Sequence, residues 1–440
     1  MKLLITAILP ALMFCNFACY SGKTGGKDGT SGSQNQTLPE STKQTDSNKV
    51  SDNTVQQDST MNSNKFSDLN KDAFSLHYDA IVIDTHNDVL MPVFLQGADL
   101  NKNNPGTQSD IVKWKRGGLD IQMFSIYVPE RFKSNHFSYV MKLIDKLEET
   151  QTENPETFAL CRNYSELESS LKAGKFVGLM GGEGGNMIEG SMENLETLYS
   201  RGVRYLGLTW NTSNAIAISA KDETDRGRAG GLTEFGKDVI KRMNELGMMI
   251  DVSHLGETAF WDVVELSNSP IIASHSNCYT LAPHFRNLTD DQIRAIAKSG
   301  GYIGINFYFK FLDISGNQTA IKNVQSKYRN AANKFADEYG DDLVGFNEKR
   351  YEYIINNPVN SGTSVDILID HIDHIVKLVG VDYVGLGSDF DGSITTVNEL
   401  YDATCYPIIT KKLVERGYTE QDIRKILGGN FLRVFKQVCG

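Results

Sequence analysis

The chain predicts a (β/α)8 TIM barrel with an inserted helical segment after its seventh strand. Three observations lead there. From residue 70 onward, eight short apolar, β-branched runs alternate with amphipathic stretches of helical period, the pattern of parallel strands buried under a layer of helices. The one long interruption of that alternation falls between the seventh and eighth runs. No G-x-G-x-x-G follows the first run, so the rival open doubly wound sheet lacks its usual nucleotide-binding turn.

Residues 1–19 stand apart from this pattern. Met1-Lys2 precedes "LLITAILPALMFCNFAC", which is shorter than a membrane-spanning helix and reads as an export signal. Cys19 follows the small residue Ala18, where a bacterial lipoprotein signal places its lipidated cysteine. Asn16 departs from the leucine-like residue of that pattern, and ordinary cleavage after Ala18 is the alternative. Residues 20–65 hold only five apolar residues (Tyr20, Leu38, Val50, Val55, Met61), too few to offset the entropy of ordering, and are expected to be a disordered spacer. The expectation is therefore an exported protein, anchored to the bacterial cell envelope through Cys19, or else secreted or periplasmic.

The barrel domain is expected over 70–440. Its strand runs are "AIVID" (80–84), "LDIQMFSIYV" (119–128), "KFVGLM" (175–180), "VRYLGLT" (203–209), "GMMIDV" (247–252), "PIIAS" (270–274), "GYIGIN" (301–306) and "DYVGLGS" (382–388). Helical period follows at 137–150, 191–202, 232–247, 289–301 and 365–380. Residues 307–364 are too long for a plain βα loop and should form helices beside the barrel mouth. Residues 417–438 read as a closing helix pair broken at Gly428-Gly429.

Cys161, Cys278, Cys405 and Cys439 show no C-x-x-C spacing, which argues against a thiolate metal site; export permits one or two disulfides, and free thiols serve as well. A net charge of −11 without a basic block argues against a nucleic-acid partner. Oligomeric state is unspecified, and a homodimer is compatible with the sequence.

In such a barrel the residues just past the carboxyl ends of the strands share one pocket. Those positions hold His86 and Asp88 after the first strand, Glu183 after the third, His254 after the fifth, His275 after the sixth and Asp389 after the eighth. His86 and Asp88 are two apart, so an extended chain turns both to one side. His254 and His275 end neighbouring strands, and Glu183, set among glycines, has two oxygens with which to bridge two ions. Imidazole with carboxylate suits Zn2+, and two ions can share a hydroxide that attacks a carbonyl without a Ser or Cys nucleophile. An isolated H-x-D rarely binds metal; the weight lies in five such groups on one barrel face. His77, His136, His284, His371 and His374 lie away from strand ends and are not expected to ligate. Asp84, in phase with His86 but two residues deeper, is expected to orient a ligand. Arg286 offers a guanidinium for a carboxylate, and Asp389 an acceptor for an ammonium group or a proton, so a short zwitterion such as a dipeptide fits between them.

The motifs "IDTHNDV", "GGEGG", "LTWN", "IDVSHL", "ASHSN", "RN", "GIN", "GLGSDFDG" and "GGNFLRVF", in this order over 76–438, resemble the membrane (renal) dipeptidase family of the metal-dependent amidohydrolase superfamily. The resemblance implies a dinuclear zinc dipeptidase that often tolerates a D-residue at the C-terminal side. It places His86 and Asp88 on one zinc, His254 and His275 on the other, and Glu183 between. It gives Arg286 to the dipeptide carboxylate and Asp389 to the amine and proton transfer, so that Glu183 and Asp389 are the catalytic acids. One departure matters. Mammalian relatives carry a histidine after the fourth strand that polarises the scissile carbonyl, where this chain reads Thr209-Trp210-Asn211. Trp210, Asn211 or Asn214 are the donors left to touch substrate there. The alternatives are a related amidohydrolase acting on other amides or lactones, and a non-catalytic peptide-binding lipoprotein.

Overall fold

The computed structural model describes residues 72–132, 135–359 and 363–440; the signal, the spacer and Cys19 lie outside the described residues. Nine strands form one all-parallel sheet: β1 Ile83–Asn87, β2 Ile121–Tyr127, β3 Phe158–Leu160, β4 Phe176–Glu183, β5 Val203–Gly207, β6 Met249–Asp251, β7 Ile271–Ala273, β8 Tyr302–Ile305 and β9 Val384–Leu386. Eight run in the order β1-β2-β4-β5-β6-β7-β8-β9, and β3 is a short outer rider on β4. All eight expected strands form, in a (β/α)8 barrel. Sequence reasoning missed only β3, whose three residues are too few to show a period.

The seam between β9 and β1 is closed by one parallel bridge, Asn87 with Phe390, and by two backbone bonds, Asp389 N–H to His86 O (3.0 Å) and Asp88 N–H to Phe390 O (2.8 Å). Asp84 reinforces it from the helix-covered side. Its carboxylate accepts Ser388 N–H (2.8 Å), Ser388 Oγ–H (2.7 Å) and Tyr406 O–H (2.7 Å). Asp84 therefore touches no imidazole: of His86 it meets only the backbone N–H, at 3.3 Å, so its part in orienting that ligand is to hold the strand rather than the ring.

The amino ends of the strands are apolar and the carboxyl ends polar, and this polarity places the site. Inward-facing Ile83, Ile121, Met123, Val177, Leu179 and Met249 pack with Phe431, Val434 and Phe435 of helix Asn430–Cys439, which plugs one end. The expected break before this helix is instead a π-helical turn, Lys425–Gly429, continuous with helices on both sides; Asn430 N–H bonds back to Lys425 O. Gly428 is there for clearance. A Cβ on it would lie 2.5 Å from Ile81 O, so glycine lets the helix reach the root of β1.

The insertion folds as expected into helices Phe309–Leu312, Gln318–Tyr339 and Leu343–Asn356. The four cysteines of the barrel are free and buried, so no disulfide forms among the described residues. Nor is any described helix long and apolar enough to cross a membrane.

Candidate metal centre

Five side chains from four strand ends converge. Glu183, the last residue of β4, divides its carboxylate: Oε2 lies 3.5 Å from His86 Nε2, while Oε1 lies 3.1 Å from His254 Nε2 and 3.6 Å from His275 Nε2. His86 Nε2 is 3.8 Å from Asp88 Oδ2, and His254 Nε2 is 3.0 Å from His275 Nε2. The His86 and His275 rings stack at 3.7 Å. Ligand atoms of His86, Glu183 and His275, and again of His86, Asp88 and Asp389, fall within 4.8 Å of one another. His254 and Asp389 hold left-handed backbone, φ 67° and 62°, a conformation that residues with a Cβ seldom adopt and that recurs where a turn must aim a side chain.

Each imidazole is held from behind. His86 Nδ1 lies 3.0 Å from Tyr205 OH, which also reaches Thr85 O at 3.4 Å. With the phenol donating to that carbonyl, it accepts from Nδ1–H and leaves the Nε2 lone pair facing the cluster. Tyr205 reaches there because its register partner on β4 is Gly181, where a Cβ would lie 2.0 Å from the phenol ring. His275 Nδ1 meets Ser274 Oγ (2.8 Å), whose hydroxyl donates to Asp251 Oδ2 (2.6 Å). His254 Nδ1 meets Asn211 Oδ1 at 3.2 Å. Ser125 Oγ–H donates to Glu183 Oε2 at 3.2 Å, and Asn306 Nδ2–H to Asp389 Oδ2 at 2.9 Å. Tyr205, Ser274, Asp251, Ser125 and Asn306 were not foreseen. Buried aromatic and small polar residues in strands read as packing, and no signal short of the fold sets them apart.

The electrostatics describe a place for positive charge. Burial works against a charged His86, but Glu183, Asp88 and Asp389 outweigh it and lift the imidazole to about 10. Burial and then Glu183 push Asp88 far up, and burial with Glu183 raises Asp389 to about 6. Glu183 pays the cost of burial yet is held well below the usual range by His86 and His254. On the other side, burial and then Arg286 lower His254 to about 3, and burial with His86 keeps His275 neutral. His86 Nε2 and Asp88 Oδ1 are buried without a hydrogen-bond partner. Carboxylates crowded on an imidazole, beside two neutral imidazoles, fit divalent cations in place of a proton.

Of the expected substrate contacts, Arg286 is buried, with Nη2–H donating to His275 O (3.0 Å), Nη1–H to Ser276 Oγ (3.3 Å), and Nε unpartnered. Trp210 is half-buried, its ring 6.3 Å from that of His254 and 5.0 Å from that of Tyr127. Asn211 spends its oxygen on His254. Asn214 bonds Leu208 O and Ile216 N–H and serves its own loop, which removes it as a free donor. The other histidines stay outside, as expected: His77 bonds Thr410 and Gly117 O, His371 bonds Cys278 N–H and Leu312 O, His374 pairs with Asp290, His136 starts helix His136–Glu153, and His284 accepts Arg286 N–H.

Comparison with known proteins finds the membrane dipeptidase family (peptidase family M19) matched over residues 70–439. A Schizosaccharomyces pombe protein described as an uncharacterized dipeptidase is 30% identical over 380 residues, 81% of this chain and 80% of that one. Among solved structures, dipeptidase AC, a metallopeptidase of family M19, superposes with a TM-score of 0.67 at 26% identity over 82% of this chain and 99% of its own. A metallopeptidase from Rhodobacter sphaeroides, solved with a phosphinate mimic of the dipeptide L-Ala-D-Ala, gives 0.66 at 25% identity over 82% and 99%.

Proposed function

The chain belongs to the membrane dipeptidase family and is a metallopeptidase hydrolase; on that footing we propose that it is a two-zinc dipeptidase acting also on dipeptides with a C-terminal D-residue. One observation carries the reading: the oxygens of Glu183 are shared between His86 with Asp88 on one side and His254 with His275 on the other. These five residues would hold the pair of ions, His86, Asp88 and Glu183 one, His254, His275 and Glu183 the other. Zinc bound there supplies an activated water and polarises the scissile carbonyl.

The chain's own groups do the rest. Arg286 grips the dipeptide carboxylate with a guanidinium that is already oriented by Ser276 and His275 O and still has Nε to offer. Asp389, fixed by Asn306, receives the free amine, accepts the proton released from the attacking water and returns it to the leaving nitrogen. Trp210 covers the mouth beside His254 and keeps bulk water off the substrate, and Asn211 holds His254 in place. Tolerance of a D-residue is supported by the Rhodobacter sphaeroides relative, whose bound mimic is of L-Ala-D-Ala.

The test is hydrolysis of L-Ala-L-Ala and L-Ala-D-Ala before and after chelation. Both should be cleaved, activity should vanish with the metal and return with about two equivalents of zinc per chain. Undiminished hydrolysis by metal-free protein would sink the proposal. For location, we propose export and lipidation at Cys19, with the 20–65 spacer holding the barrel off the membrane. A Cys19→Ser chain should then move from the detergent phase to the aqueous phase on partition, and an unaltered distribution would refute the anchor.

A further inference from the structure

A cavity of about 350 Å3 opens beside the metal centre, between the loops that follow β6 and β7. Resting on the reading in which Arg286 grips the substrate carboxylate, we propose that this cavity receives the side chain of the C-terminal residue and selects a long basic one. His254, Ser276 and Arg286 line it, so the guanidinium that grips the carboxylate is also part of the cavity wall and places the adjoining side chain beside it. Arg286 is buried there with its Nε unpartnered, the mark of a wall built to meet a ligand.

Size and lining decide the class. The volume far exceeds a methyl group, and Val252, Leu255 and Phe260 give an apolar floor for a methylene stem. Once a substrate carboxylate matches the charge of Arg286, the charged groups remaining in the wall are two acids, Glu223 and Glu257. Glu223 is held: its Oε2 accepts the Glu257 N–H at 2.6 Å, at the start of helix Glu257–Leu266. Lys221, outside the wall, stands over the Phe285 ring at 5.6 Å but is paired with Asp225 at 2.8 Å. An apolar floor beside one fixed and one exposed carboxylate suits lysine, ornithine or arginine, and repels aspartate and glutamate.

The experiment measures kcat/KM of the zinc-loaded enzyme for L-Ala-L-Lys, L-Ala-L-Leu and L-Ala-L-Glu. Lys should exceed Glu by about tenfold or more, with Leu between. Glu223→Gln keeps an oxygen for the Glu257 N–H and should shrink the Lys-to-Leu ratio about fivefold. Glu257→Gln, at an exposed position whose backbone alone makes the bond, should shrink it less. Equal cleavage of the Lys and Glu dipeptides, or ratios untouched in both variants, overturns the pocket and leaves the dipeptidase reading standing. Cleavage of none of the three dipeptides overturns that reading and the pocket with it.

Discussion

At the scale of the residue, the metal centre depends on groups that never touch a metal. Tyr205 OH selects which nitrogen of His86 faces the cluster, and Gly181 makes room for its ring. Removing the hydroxyl frees the imidazole to turn or to carry its proton on the wrong nitrogen. Tyr205→Phe should therefore weaken metal binding at the His86 side by about 10- to 100-fold while the fold stays intact. Chelator competition followed by metal analysis checks this, with circular dichroism as the control; metal held as tightly as in the parent would refute it. The clustered histidines and carboxylates were legible in the sequence because each is chemically conspicuous at a strand end. Tyr205 was hidden because an aromatic in an apolar run looks like core, and Asp84 was misjudged because its partners, Ser388 and Tyr406, lie on the far seam of the barrel.

At the scale of the element, the closing turn shows how packing overrides local propensity. Two glycines inside a helical pattern read as a stop, yet the chain passes through Gly428-Gly429 as a π-turn because Gly428 is pressed onto Ile81 O. Gly428→Ala improves local helix propensity but forces the helix off β1. The overpacking should win, costing about 1–3 kcal/mol. Urea denaturation measures it, and a variant as stable as the parent would show that the turn, not the contact, calls for glycine. The same logic sorts what the sequence disclosed. Strands buried on both faces announce themselves as continuous apolar runs, and all eight were readable; β3, three residues at the sheet's margin, was not.

At the scale of the whole molecule, buried histidines tie distant parts of the chain and link stability to pH. His77 joins the first described helical segment, 72–79, to Thr410 and to Gly117 O, and burial lowers it to about 4. An unfolded imidazole titrates near 6.5, so the folded protein binds fewer protons than the unfolded one between these values. The stabilisation is complete above about 6.5 and drains away as pH falls towards 4. Glutamine at this position offers one donor and one acceptor without titrating. The parent's margin over His77→Gln should thus be about 2 kcal/mol smaller at pH 5 than at pH 7.5. Taking the difference cancels Asp391 and Glu399, which burial raises to about 7 in both proteins. A margin independent of pH, from urea curves at the two values, would contradict the assignment.

The seam held by Asp84 has a consequence in time. Its partners Ser388 and Tyr406 are 304 and 322 residues further along the chain, so the first strand is sealed only after those segments have been made. His86 and Asp88 ride on that first strand, and Asp389 on the segment that seals it. A growing polypeptide therefore carries His86 and Asp88 for about 300 residues of synthesis before Asp389 exists to join them.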